Sequence, residues 1–245
     1  RPARGRRGIL RGLAWLAGAG MGAQAVRQAP SWQAAVADLR TARGERRDVR
    51  LPDRSRLTLN TASAVDLQFD DRERRLRLHA GEILVETAAA AATAVGRPDR
   101  PFVVDTRAGR LRALGTRFVV RQPDDAATGG EMLVQVFDGA VEIAPAQGVT
   151  PSIVRAGQQA HFTRDLARPS TAVDPTAAAW TRGLLVAERW RLADLLAELG
   201  RYRAGVVRCD PAVAELAVSG VFSLQDTDAA LAALGRTRPV RVQRT

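Results

Sequence analysis

Val65-Asp66-Leu67-Gln68-Phe69, then Asp70-Asp71-Arg72-Glu73, then Arg74-Arg75-Leu76-Arg77-Leu78: this stretch decides the fold class. Apolar side chains stand at every second position, a polar turn interrupts them, and the alternation resumes. A period of two puts the apolar set on one face of an extended strand, and four polar residues between two such runs mark a turn. The same pattern extends outward in both directions. Upstream lie the pairs Val49/Leu51 and Leu57/Leu59, separated by Pro52-Asp53-Arg54-Ser55; downstream, after Ala80-Gly81-Glu82, comes Ile83/Val85. Beyond an Ala-rich loop (Ala88 to Gly96), strands are expected at Phe102 to Thr106, Leu111 to Leu114, Arg117 to Val120, Met132 to Phe137, Val141 to Ile143 and Ala160 to Phe162. Asp138-Gly139 reads as a hairpin turn. Short strands with turns every eight to ten residues or so imply a meandering or solenoid-like all-β domain over 41–164.

Asp165 to Ala178 holds two prolines and no periodicity, and reads as a linker. Past it the element type alternates. Leu184 to Ala187 is a strand; Leu192, Leu195, Leu196, Leu199 and Tyr202 fall at helical spacing, with Gly205 as the stop. Val206 to Arg208 and Ala217 to Val221 read as short strands, Asp226 as the cap of a second helix through Leu231 and Leu234, and Pro239 to Val242 as a closing strand. The order β-α-β-β-α-β makes 179–245 a small split α+β module. The expected fold class is therefore mainly β with an α+β C-terminal module.

Charge separates the front of the chain from the rest. The first fifty residues carry 11 Arg against Asp38, Glu45 and Asp48, a net +8, so the other 195 residues supply 11 − 8 = +3 of the total +11. All 37 basic residues are Arg. The body shows no basic patch, so nucleic acid is not an expected partner. Arg1, Arg4, Arg6 and Arg7 (within a basic flank, 1–8) precede an apolar run, Ile9 to Val26, that as a helix would span about 27 Å at ~1.5 Å per residue. A bilayer core needs roughly 30 Å. Three readings stand: a membrane anchor, with Gly18 and Gly22 as a helix-packing pair; a cleaved export signal ending near Ala23-Gln24-Ala25; and a soluble helix. The charge asymmetry favours the anchor with its N-terminus inside, which makes 27–40 juxtamembrane and places the later domains across the inner membrane, in the periplasm.

Chemistry is sparse. Cys209 is alone, which excludes an intramolecular disulfide. His79 and His161 have no partner at metal-ligand spacing. The seven serines include no recognisable nucleophile turn, and Asp70-Asp71 and Asp124-Asp125 read as solvated turn residues. No catalytic residue, cofactor or metal is expected. On the helix from Leu192 to Tyr202 the leucine stripe reads as core, and Asp194, Glu198 and Arg201 as a solvated face. A partner would use an exposed sheet edge by strand addition. The residues expected to do so are Val240, Arg241, Val242 and Arg244 on the last strand, and Leu184 and Val186 on the first strand of the module.

Nine short stretches, in order, carry a family resemblance. They are Gly44-Glu45-Arg46-Arg47-Asp48-Val49-Arg50-Leu51-Pro52-Asp53; Leu59-Asn60-Thr61-Ala62-Ser63; Arg74-Arg75-Leu76-Arg77-Leu78 with Gly81-Glu82; Arg100-Pro101-Phe102-Val103-Val104; and Arg112-Ala113-Leu114-Gly115-Thr116-Arg117-Phe118. Ala156-Gly157-Gln158, Ala179-Trp180-Thr181-Arg182-Gly183, Glu198-Leu199-Gly200-Arg201-Tyr202 and Val218-Ser219-Gly220-Val221-Phe222 follow. In these the chain resembles FecR-type transmembrane anti-sigma regulators. The resemblance implies a β-rich periplasmic domain followed by a signalling module like the short N-terminal domain of secretins and TonB-dependent receptors. It also implies a cytoplasmic anti-sigma segment ahead of Arg1. The implied partners are the signalling domain of a TonB-dependent outer-membrane receptor, an extracytoplasmic-function sigma factor and regulatory proteases, with a ferric siderophore as the usual cargo. A secreted β-rich binding protein is the alternative. One departure is local: the family's Asp-Gly-Ser turn reads Asp53-Arg54-Ser55, which costs about 1 kcal/mol if Arg54 adopts a positive φ.

Overall fold

The computed structural model describes residues 30–88, 100–123 and 131–237. A short helix, α1 (Pro30–Val36), leads into strands β1 (Leu39–Arg40), β2 (Arg47–Arg50), β3 (Arg56–Leu59), β4 (Ala64–Phe69) and the long β5 (Arg74–Glu86). Then come β6 (Phe102–Asp105), β7 (Gly109–Ala113), β8 (Arg117–Gln122), β9 (Met132–Asp138), β10 (Ala140–Pro145), β11 (Ser152–Arg155), β12 (Gln158–Phe162) and β13 (Thr171–Ala172). The first half of β5 pairs with β4 and β6, and its second half with β3 and β8. Two layers therefore share one strand. Later strands return to them in turn: β6 and β7 to the first layer, β8 and β9 to the second, β10 and β11 to the first, β12 and β13 to the second. This is the mainly β, solenoid-like stack that the alternation predicts. Among the described residues every pairing is antiparallel except β5 with β6, where Arg74 stands opposite Phe102.

The chain changes layer at glycines. Gly81, inside β5, has φ 83°, and a Cβ there would meet Ser63 Oγ at 2.3 Å. Ser63 Oγ instead accepts the Glu82 N–H and donates to the Glu82 carbonyl, both at 2.9 Å. Gly139 (φ 70°) leaves room of 2.0 Å between a hypothetical Cβ and the Gly115 carbonyl. Asp138-Gly139 is thus no hairpin turn: β9 and β10 pair with different neighbours, and the glycine turns the chain from one layer into the other. A side chain at either site would clash with backbone or occupy an unfavourable left-handed conformation. Between the layers lies one apolar core, with Leu57, Leu59, Leu76, Ile83, Val85, Phe102, Phe118 and Phe162 essentially fully buried. Arg54 has φ 70°, so the Asp53-Arg54-Ser55 turn bears the strain expected of it; Asp53 holds the turn by accepting from the Ser55 N–H at 3.0 Å and its hydroxyl at 2.7 Å.

The C-terminal module follows a 3-10 turn, Ala179–Arg182. It comprises β14 (Leu184–Arg191), α2 (Leu192–Gly200), a 3-10 turn (Pro211–Val213), β15 (Ala217–Ser223) and α3 (Thr227–Thr237). Strands β14 and β15 form a two-stranded antiparallel sheet against which the helices pack. Asp226 caps α3 as expected, accepting the Ala229 N–H at 2.8 Å. Two expectations need adjusting. Val206 to Arg208 forms no strand: Val206 is exposed and no neighbouring strand offers a ladder. Helix α2 stops at Gly200, before Gly205. The closing strand Pro239 to Val242 lies outside the described residues, together with Val240, Arg241, Val242 and Arg244. Residues 165–178 carry β13, paired to β12.

The inner-membrane placement is corrected. No helix among the described residues is long and apolar enough to cross a membrane. The longest, α3, has 11 residues, about 16 Å of rise at ~1.5 Å per residue against a core of roughly 30 Å. The expected span, Ile9 to Val26 with Gly18 and Gly22, lies outside the described residues.

Candidate functional site

Strict alternation along β5 and β8 would leave one face of the second layer wet. Two positions break it. Leu84 and Val119 point away from the main core, yet are 3% and 0% exposed. They stand directly opposite each other across β5 and β8 and belong to the apolar cluster of the C-terminal module. The module sits on the outer face of the layer. Burying these two side chains contributes roughly 1.5–3 kcal/mol each.

Around that small apolar contact lies a chain of alternating charges. Helix α2 turns Leu192, Leu195 and Leu199 into the module's core, which leaves Glu198 and Arg201, one turn apart, on its flank. Glu198 accepts from Arg121 Nη1 at 2.9 Å and from Arg201 Nη1 at 2.5 Å. Arg201 Nη2 donates to Glu82 Oε2 at 2.8 Å. Glu82 and Arg121 come from β5 and β8; the other two come from the module. Four charges sum to zero. Glu82 is the most enclosed, its side chain 6% exposed. Asn60 Nδ2 bridges the Glu82 carboxylate and the Tyr202 hydroxyl, each at 2.8 Å. Thr61 Oγ1 donates to the Arg201 carbonyl at 3.1 Å and accepts the Gly44 N–H at 2.8 Å. Gly44 (φ 79°) closes the seat: a Cβ there would lie 2.8 Å from the Tyr202 carbonyl oxygen. Arg43 and Arg46 donate to the Arg203 and Trp180 carbonyls at 3.2 and 3.3 Å.

Protonation follows from this geometry. Burial works against the Glu198 carboxylate, but Arg201 and Arg121 outweigh it and hold its pKa below the ordinary 4.5. Burial, reinforced by the Glu82 and Glu198 charges, pushes the Tyr202 hydroxyl above its ordinary 10.0. Burial opposes the Arg201 charge, yet Glu82 and Glu198 raise its pKa further, so it stays a cation. Near neutrality Glu198 and Arg201 thus stay charged and Tyr202 stays a neutral hydroxyl, held in one hydrogen-bonded network.

The reading of Asp194, Glu198 and Arg201 as one solvated face holds for Asp194 alone. Its side chain is 57% exposed beside Arg191, against 16% for Glu198 and 19% for Arg201. Sequence reasoning missed the joint, although a signal was present. Ile83-Leu84-Val85 and Phe118-Val119-Val120 are uninterrupted apolar runs, the mark of strands covered on both faces. Of the residues expected to bind a partner, Leu184 and Val186 are half-buried on β14, opposite Ser223 and the exposed Val221.

Other chemistry resolves into structure. Asp70 Oδ1 accepts the N–H groups of Arg72 and Glu73, at 2.8 and 2.9 Å, which lower its pKa and fix the β4–β5 turn. His79, far from isolated, pairs with Asp66 at 2.7 Å. Asp124-Asp125 lies outside the described residues. Among the described residues no group of three His, Cys, Asp or Glu stands close enough to hold a metal ion. An open groove of about 500 Å³ runs beside the joint, between Thr181 and the Arg50–Arg56 edge of the sheet.

Comparison with known proteins agrees with this architecture. The fold is similar to that of a proposed anti-sigma factor from Parabacteroides distasonis ATCC 8503 in two crystal structures. One, at 1.65 Å resolution, gives a TM-score of 0.66 at 21% identity over 84% of this chain and 94% of that one. The other, at 2.50 Å resolution, gives 0.65 at 21% identity over 84% and 93%. No curated protein matches. Residues 37–142, from the end of α1 into β10, match the family model described as FecR protein. The joint thus takes Asn60, Glu82 and Arg121 from the matched region and Glu198, Arg201 and Tyr202 from the module beyond it. Over residues 37–142, the chain is thus similar to the FecR domain.

Proposed function

We propose that this protein regulates a sigma factor, and that its C-terminal module receives the signal as a protein–protein contact. One observation carries the reading: a FecR domain joined to a docked α+β module, an arrangement shared over most of both chains with a proposed anti-sigma factor. FecR proteins are regulators, and neither core nor joint presents a nucleophile with a base beside it; the reading is non-enzymatic. The sender is assigned as the signalling domain of a TonB-dependent receptor, with a ferric siderophore as the cargo of that receptor. Support comes from the sheet of β14 and β15, which has two strands among the described residues and therefore offers backbone groups for strand addition near Leu184 and Val186. The sigma factor is assigned to the N-terminal side of the FecR domain. Regulatory proteolysis would act on that same side.

The test has two arms. Calorimetry of the full chain against isolated receptor signalling domains from the same genome should find one that binds. Deleting the gene should alter transcription from the promoters of one sigma factor and no other. Binding to none of the domains, with transcription unchanged, overturns the proposal.

A further inference from the structure

We infer that the outer face of the second β layer is a reversible docking surface, occupied by the chain's own C-terminal module, and that the Glu82–Arg201–Glu198–Arg121 chain of charges is its latch. Three independent observations meet here. First, the main core between the layers takes no residue from the module, and the module's own cluster, built on Leu185, Leu192, Leu195, Leu199, Phe222 and Leu231, borrows from the sheet Leu84, Val119 and the half-buried Phe137, so lifting it off leaves the main core closed. Second, the seat is mostly polar. Among the described residues, the fully buried apolar side chains that the sheet offers the module are Leu84 and Val119; the half-buried Phe137 lies under the Arg117 guanidinium, 5.2 Å from the ring centre. Third, the contact is closely fitted, with the Gly44 backbone against the Tyr202 carbonyl and no space for a methyl group.

Such a contact has two stable conditions. Seated, each charge has an opposite partner within 2.9 Å. Lifted, each is hydrated. A buried, fully paired network adds little net stability over its hydrated state, whereas breaking one pair inside the closed joint strands a buried charge. Partly opened arrangements are therefore disfavoured, and the module moves as a unit. A partner that grips the module can lift it without unfolding anything, and doing so uncovers Leu84 and Val119. This is the coupling that sigma regulation requires, but the device belongs to the chain alone and is tested without any partner, so its failure leaves the sigma-factor reading untouched.

Hydrogen exchange on the full chain, read by mass spectrometry, tests it. Two variants open the seat by unrelated means: Glu82→Gln removes a charge, and Gly44→Ala inserts a methyl against Tyr202. In both, exchange in segments 43–46 and 199–203 should quicken about tenfold or more, while segments 132–136, 184–187 and 218–222 keep wild-type protection within twofold. If Glu82→Gln loosens the whole chain, Gly44→Ala decides. Joint and module quickening together in Gly44→Ala would show one cooperative body and overturn the latch. Unchanged exchange at the joint in both variants would show that these contacts do not hold the module, and overturn it equally.

Discussion

Leu84→Ala measures how firmly the module covers the sheet. On a strand with one wet face, position 84 would point to water, and its truncation would change stability by no more than about 0.5 kcal/mol. In this structure Leu84 is 3% exposed, packed under the module. Truncation removes three carbons at about 0.8 kcal/mol each, or roughly 2.4 kcal/mol, and the cavity left behind brings the loss into the range of about 2–5 kcal/mol. Urea unfolding of the full chain, followed by tryptophan fluorescence and circular dichroism, should show that loss with an unchanged m value. Arg56→Ala, on an exposed site of the same layer, is the control and should stay within about 0.5 kcal/mol. Val119 stands directly across from Leu84, so the two truncations share one cavity and the double variant should lose less than the sum. A loss below about 1 kcal/mol for Leu84→Ala, at wild-type m, would refute the argument that the module covers this face.

The joint should also respond to pH at both ends. Glu198 is held below its ordinary 4.5, so its stabilisation is complete above that value and is lost as pH falls through its folded value; Glu198→Gln should flatten the acid limb of a stability profile. Tyr202 is held above its ordinary 10.0, so its contribution is complete below pH 10 and is lost as pH rises beyond; Tyr202→Phe should flatten the alkaline limb, by the same denaturation measurement. Leu195 is fully buried in the module, and Leu195→Asp should abolish the protection of β14 and β15 in hydrogen exchange while the β layers keep theirs. Arg54→Gly should raise the melting temperature by about 2–4 °C, since it removes roughly 1 kcal/mol of left-handed strain at φ 70°.

Much of the β fold was legible because its register is written at period two. Val65, Leu67, Leu76 and Leu78 alternate so regularly that their pairing, with Leu67 opposite Leu76, follows from the turn between them. What alternation does not encode is which strand comes next. Asp138-Gly139 has the composition of a hairpin, yet its glycine turns a corner, because local chemistry specifies a positive φ and not the neighbour it leads to. The joint was hidden for a related reason. Glu82 and Arg121 sit at polar positions of strands and Asn60 just past the end of β3, where polarity ordinarily means solvent, and only the second-face residues Leu84 and Val119 mark them as covered. Glu198 and Arg201 were misread by the same rule on a helix.

Strand β5 has a consequence during synthesis. It is the strand on which both layers are built, and as it leaves the ribosome its upstream partners β3 and β4 already exist. Its other edge must wait for β6 and then β8, whose last residue, Gln122, lies 122 − 86 = 36 residues beyond Glu86. At ~5–20 residues per second, that edge stays bare for about 2–7 s. In that interval it is an unpaired template rich in valine, leucine and isoleucine, in a cell full of other nascent chains. The arginines spaced along its first half, at 74, 75 and 77, put positive charge on that half of the edge and oppose the pairing of one unfinished copy with another.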